Sequence, residues 1–186
     1  FSGSSEPGIV WVMQDENGNG EPDDTWYELA GSETGKATTI QEYAVTYYRS
    51  VADGMGVQWR DNNLTDGRIT RNPTHTQPHY YPTWLGEGHY TLYGSRLAHN
   101  TTLDNSGKYV NNPYSWGYAD NEGSNTLASD AQSCCFDISN AVREDGEPME
   151  LGYIDFVKVQ CAVNYVSGPN GEISTDVLAI TDERLK

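Results

Sequence analysis

Basic residues are scarce in this chain of 186: Lys and Arg number 11 against 27 Asp and Glu, for a formal charge of −16. Nucleic-acid affinity comes mainly from neutralising phosphates with basic side chains, so a DNA- or RNA-binding role is ruled against. Anionic membrane surfaces are disfavoured for the same reason. Only three cysteines occur, Cys134, Cys135 and Cys161, too few for a disulfide framework and without Cys-x-x-Cys metal spacing. Adjacent cysteines bridge each other only with strain. Two readings therefore stay open: one bridge from Cys161 to Cys134 or Cys135, or three thiols packed as small apolar residues. No apolar stretch approaches the ~20 residues of a membrane span. His-Glu-x-x-His, Gly-x-Ser-x-Gly and phosphate-cradling glycine loops are missing too, so the hydrolase and nucleotide-binding signatures come up empty. The chain opens at Phe1 with neither Met nor an apolar leader, and an export signal or lipid anchor is expected to have been removed.

What is abundant is aromatic and turn-forming: 13 Tyr, 5 Trp, 19 Gly and 8 Pro, with short apolar runs between them. Period-two alternation recurs at short intervals between Gly, Pro, Asn and Asp clusters, which predicts an all-β fold, a jelly-roll-like β-sandwich. At this length one domain over residues 1–186 is expected. Strands are predicted near 8–13, 25–30, 42–49, 56–60, 67–71, 89–98, 108–110, 133–138, 153–163 and 172–181. Apolar residues on both faces of the segment from Ile154 to Val163 mark it as a central strand. Only Ser139 to Glu144 offers a brief helical turn, with Asp137 or Ser139 as its N-cap.

The segment from Asp15 to Asp24 sets side-chain oxygens at alternate positions and then bends. In the EF-hand pattern, oxygens at loop positions 1, 3 and 5 converge, a glycine at 6 turns the chain and position 7 offers its carbonyl. Those places fall on Asp15, Asn17, Asn19, Gly20 and Glu21, with Asp23 at position 9. Position 12 is Trp26 rather than a bidentate Glu, and the flanks from Ile9 to Val12 and from Trp26 to Leu29 look like strands. This is a shorter loop of the kind that clips strands together, and Asp24 or Glu28 has to complete the shell. A solvated Asn-Gly turn needs no metal. Carboxylates this crowded repel one another unless a cation sits among them, so Ca²⁺ held by Asp15, Asn17, Asn19, Glu21, Asp23 and Asp24 is the expectation, in a structural role.

The longest irregular stretches, Asn72 to Gly88 and Asn111 to Ser133, are rich in rings, and long loops in compact domains are usually functional or disordered. The first holds His75, His79, Tyr80, Tyr81 and Trp84 among prolines that stiffen the backbone; the second holds Tyr114, Trp116 and Tyr118. His75 and His79 stand four apart, but Pro78 lies between them and no helix aligns them as zinc ligands. They can still donate hydrogen bonds or ligate the metal of a bound cofactor, since imidazole suits cobalt and zinc alike. His75, His79, Tyr80, Tyr81, Trp84, Trp116 and Tyr118 are expected to form a non-catalytic platform for sugar rings or a flat macrocycle. Packing as a polar corner of the sandwich is the plainer alternative for each. Asp61, Glu87 and Asp120 are the acids to inspect for a glycosidase pair, which needs two carboxyls facing across a cleft.

The motifs Glu6 to Val12, Asp15 to Asp24, Trp26 to Ser32, Trp116 to Asn121, Phe136 to Val142, Ile154 to Val159 and Gly171 to Asp176 together span nearly the whole chain. In them the sequence resembles the cell-surface proteins of gut Bacteroidetes found beside outer-membrane vitamin uptake systems. The resemblance implies an exported lipoprotein domain at the cell surface that captures a nutrient for an outer-membrane transporter, with cobamides, the vitamin B12 compounds, as the leading ligand. The Trp and Tyr faces themselves leave a carbohydrate-binding module as the alternative reading. The sequence departs from that family where Val166-Ser167-Gly168-Pro169-Asn170 replaces a Cys-Gly-Trp-Leu-Gly stretch.

Overall fold

The computed structural model describes residues 4–71, 77–127 and 130–183. Its strands are β1 (Gly8–Met13), β2 (Trp26–Leu29), β3 (Ile40–Tyr48), β4 (Val57–Asp61), β5 (Asp66–Ile69) and β6 (His89–Arg96), followed by β7 (Thr101–Leu103), β8 (Tyr109–Asn111), β9 (Thr126–Leu127), β10 (Asp130–Cys134), β11 (Ala141–Val142) and β12 (Phe156–Cys161). They form four antiparallel sheets in an all-β, sandwich-like fold. Among the described residues no helix is long and apolar enough to cross a membrane. By its internal packing the chain divides into two compact units, Phe1–Thr39 with Arg96–Lys186, and Ile40–Ser95.

The first unit is built on a sheet of order β11-β2-β1-β12. Strand β1 is central and buried on both faces. Val10 and Val12 pack with Leu29, Ala141 and Leu151, whereas Ile9 joins Leu97, Tyr114, Tyr118, Ala162, Val163 and Ile173. Each fully buried Val, Ile, Leu or Met side chain contributes roughly 1.5–3 kcal/mol, so this one strand anchors two clusters. β12 pairs with β1 from Gly8↔Cys161 to Met13↔Phe156 and stands at the sheet's edge, not its centre. Its Val157 and Val159 are half-buried against the cluster of Val10 and Val12, and such cover on a face carries no information about neighbours to the side. Opposite Trp11 in that register, the Lys158 ammonium lies 4.5 Å and 4.8 Å from the ring centroids of Trp11 and Trp26. Burial lowers its pKa, while nearby Glu28 opposes the shift.

Two buried asparagines in this unit are bonded to neighbouring polar groups, whereas Trp11 Nε1 and Asn164 Nδ2 are buried without a hydrogen-bond partner among the described residues. Asn121, fully buried, accepts from the Ser5 hydroxyl (3.1 Å) and the Tyr114 N–H (2.8 Å) and donates to the Tyr114 carbonyl (2.9 Å). Asn111 Oδ1 likewise accepts from Ser167 and Thr101. Of the helical turn expected over Ser139 to Glu144, only a 3₁₀ helix at Ile138–Asn140 forms, before β11; Asp137 caps it by accepting the Ser139 N–H at 2.9 Å. No strand forms over 172–181; the segment is irregular apart from an isolated bridge at Glu172. The cysteines are unbridged, with Cys135 and Cys161 exposed and Cys134 half-buried, so neither reading of them holds.

The second unit is a sheet of order β5-β4-β3-β6. Tyr43, Val45, Val57 and Asp61 turn inward and are buried. Trp59 is paired with Gly67, where any Cβ would stand 2.5 Å from the indole, so glycine makes room for the ring. Between β4 and β5, Asp61 Oδ1 accepts the N–H groups of Asn63 (3.0 Å) and Thr65 (2.8 Å).

Candidate functional site

The acidic loop between β1 and β2 is folded by its own side chains. Asp15 Oδ1 accepts from the N–H groups of Gly18 (2.8 Å) and Asn19 (3.1 Å), and its Oδ2 from Gly20 (2.8 Å). Gly18 and Gly20 both take left-handed backbone, φ 70° and 77°, which a side chain would strain. Asn17 and Asn19 donate their amides to the two oxygens of Asp23, at 3.0 and 3.1 Å. Asp24 Oδ2 accepts from Glu16 N (2.9 Å), and Asp155 Oδ2 from Asp15 N (2.8 Å). Glu21 N donates to Asn19 Oδ1 at 2.7 Å. Among the described residues no three His, Cys, Asp or Glu side chains are gathered as metal ligands. The loop's set of carboxylate and amide oxygens suits a hard cation such as Ca²⁺ in kind, and its shown geometry spends several of those oxygens on backbone N–H groups. Residue 26 begins β2, in keeping with strand flanks rather than an EF-hand helix.

The ring-rich loops resolve into different environments. In the second unit, Arg49, Asp53, Met55, His79, Tyr80 and Tyr81 help line a cleft of about 220 Å³. The loop from Ser50 to Met55 is fastened to the wall carrying His79 through Gly54 N, which donates to the Pro78 carbonyl at 2.7 Å. His79 Nδ1 lies 3.2 Å from Asp53 Oδ1. The Arg49 guanidinium stands over the Tyr81 ring, 5.2 Å from its centroid, and donates to the Leu85 carbonyl. Tyr81 is buried and its hydroxyl donates to the Glu87 carbonyl at 3.2 Å. Trp84 is 81% exposed and lies outside the cleft lining. His75 lies outside the described residues.

Trp116 and Tyr118 belong to the other unit. Trp116 is exposed, but Tyr118 is 1% exposed and sits in the core. Its hydroxyl accepts the Glu33 N–H at 3.1 Å, and its ring meets Tyr114 edge-on, centroids 5.4 Å apart. Tyr118 is therefore a packing residue rather than part of a ligand surface. The structure brings together His79, Tyr80 and Tyr81. The sequence reading missed Arg49, Asp53 and Met55, which lie some thirty residues earlier; a guanidinium beside a run of tyrosines in a chain with few cations was the available signal.

Of the candidate acids, Asp61 turns its Oδ1 to its own turn and Asp120 helps pin the irregular segment over 172–181. Asp120 Oδ2 accepts from Asp176 N (3.0 Å), Glu6 Oε2 from Ser174 N (3.1 Å), and the Thr175 hydroxyl donates to the Glu6 carbonyl (2.8 Å). Burial pushes both carboxyl pKa values up, and repulsion adds to it: Asp120, Asp176 and Glu172 act on Glu6, and Asp176 and Glu122 on Asp120. The N–H bonds to each work the other way. A carboxyl raised in the folded state adds stability that is complete below its unfolded pKa and is lost as pH climbs through the raised value. Glu6→Gln is accordingly expected to be more stable than wild type in urea at about pH 7.5, with the gain gone by about pH 4. A variant weaker than wild type at both pH values would show that hydrogen bonding to Ser174 outweighs the burial of charge.

No family model matches the chain, and no curated protein matches it.

Proposed function

We propose that this chain is a non-enzymatic ligand-binding module of a nutrient uptake system, carried at the cell surface as a lipoprotein domain and working beside an outer-membrane transporter, with the cleft around His79 as its recognition site. The observation that carries the reading is that His79, Tyr80 and Tyr81, singled out by residue type, line one cleft with Arg49. Rings with a hydroxyl or imidazole tip, held by stiff backbone, bind polar ligands with little entropy to lose. The resemblance of the chain's motifs to Bacteroidetes surface proteins supports the location and the transporter partner.

Size bears on the ligand. Pockets that enclose a drug-sized molecule run to about 300–1,000 Å³, whereas this cleft has about 220 Å³. A cleft of that volume suits one sugar ring or one edge of a macrocycle, and the two ligand classes are separated by titration. Ca²⁺ belongs to the same proposal as a structural ion: Asp15, Asn17, Asn19, Glu21, Asp23 and Asp24 would hold it, and it would neutralise the carboxylates of their loop.

Calorimetric titration with cobalamin and with a panel of neutral and acidic oligosaccharides separates the ligand classes. His79→Ala is expected to weaken the productive titration about two- to tenfold, the worth of one hydrogen bond. Heat from neither class, or an affinity indifferent to His79, would remove the cleft from the account.

A further inference from the structure

The sheet of the second unit has an outward face that the cleft does not use. Strand registers place Tyr48 opposite Gln58 and Gln58 opposite Arg68, and in the next row Thr46 opposite Arg60 and Arg60 opposite Asp66. On β6, the Thr91 hydroxyl lies 2.8 Å from that of Thr46, and the His89 ring is 6.4 Å from that of Tyr48. Two cross-strand rows result, Arg68-Gln58-Tyr48-His89 and Asp66-Arg60-Thr46-Thr91. Alternation puts Tyr93 on the same side, 69% exposed. Neighbouring strands are about 4.8 Å apart and residues rise about 3.4 Å, so each row spans roughly 14 Å and Tyr93 lies a similar distance from the His89 row.

We propose that this face is a second binding surface, distinct from the cleft, and that it takes an extended acidic polysaccharide, a polyuronate. Charge is the first argument. This unit holds four arginines against five carboxylates, so nearly all of the chain's −16 lies in the other unit. Arg60 and Arg68 are both exposed on the face and only Asp66 opposes them within the rows. Guanidinium forks match carboxylates in shape and charge. The second argument is chemical texture. The two rows carry no aliphatic side chain; a protein interface shares their Tyr and Arg, but its buried core is more apolar than these rows of Gln, Thr, His and Asp. Exposed tyrosine rings beside Gln, Thr and His hydroxyls, amides and imidazole instead suit a flat ligand with many polar groups along its length. Spread over four strands, the face addresses several rings of a polymer rather than one.

The test uses the whole chain in affinity electrophoresis with soluble polygalacturonate and, separately, an uncharged linear glucan. Retardation by the polyuronate alone is expected, weakening as salt is raised because exposed charges are screened. Arg60→Gln with Arg68→Gln is expected to weaken it about tenfold or more while leaving the cleft titration unchanged, which also certifies that the variant is folded. Equal retardation by the neutral glucan, none by either polymer, or a double variant that binds as before would overturn the proposal. So would sedimentation showing that wild type self-associates through this face and that Tyr93→Ala makes it monomeric. Failure of the cleft titration with polyuronate binding intact would sink the cleft reading alone.

Discussion

Tyr118→Ala is expected to cost about 3–5 kcal/mol, the range for emptying a buried aromatic site, read as a lowered urea midpoint. The ring is enclosed on every side that the structure describes. Ile9, Leu97, Ala162, Val163 and Ile173 share its cluster, Tyr114 meets it edge-on, and a Cβ on Gly31 would stand 2.5 Å from it. Burial and the nearby carboxylates of Glu33 and Glu28 push its hydroxyl pKa up, so it stays a neutral phenol throughout the physiological range. Tyr118→Phe keeps the packing but leaves the Glu33 N–H without that acceptor, a loss of about 1–3 kcal/mol. Its neighbour Gly117 is left-handed, φ 94°, and a Cβ there would lie 2.4 Å from the Gly31 Cα. Gly117→Ala therefore meets backbone that cannot yield and should be as harmful as the loss of the ring. Trp84→Ala, by contrast, removes an exposed side chain and should stay within about 0.5 kcal/mol. If Tyr118→Ala and Trp84→Ala melt alike, the core assignment fails.

Adding Ca²⁺ at about a hundred times its dissociation constant should stabilise the chain by about 2.7 kcal/mol, or a rise in Tm of roughly 5–10 °C for a protein of this size. Chelation should reverse it. Asp15→Ala with Asp23→Ala should abolish the response, since the first substitution also frees three N–H groups of the turn and the second frees both asparagine amides. The diagnostic is the response and not the baseline: the double variant will melt lower even without the ion. A wild-type melting curve indifferent to millimolar Ca²⁺ removes the ion from the proposal.

Strands that bury a whole face were legible in the sequence. β1, β2 and β4 fall within a residue of their predicted bounds because alternation and flanking turn residues agree there. β7, β9 and β11, of two or three residues each, are too short to show a period, and local sequence does not encode their pairing. The segment over 172–181 shows the opposite failure. Its pattern suits a strand, yet the partners near 174–176 are the side chains of Glu6 and Asp120 and the Glu6 carbonyl, not a neighbouring ladder. Alternation cannot distinguish the two. β12 carries a related lesson, for apolarity above and below a strand reports cover on its faces and is silent about its edges.

The site was legible where its residues are consecutive. His79, Tyr80 and Tyr81 fall in one short run, so one loop delivers all three to the cleft. Arg49 and Asp53 reach it through the turn that follows β3, and only the fold closes that distance. Trp116 and Tyr118 illustrate the limit of residue type as evidence. They are two apart in one loop, and one ring is presented to solvent while the other is sealed in the core.

The position of Lys158 has a consequence for how the molecules behave in a crowd. It sits midway along β12, a strand with a ladder partner on one side only among the described residues, in a run otherwise composed of Phe, Val, Gln and Cys. Such a run is a template on which a like strand from another copy could zip, and a charge anchored within it makes that union costly. An ammonium clasped by two indoles in the middle of that run is a charge of the kind that keeps edge strands from pairing between copies.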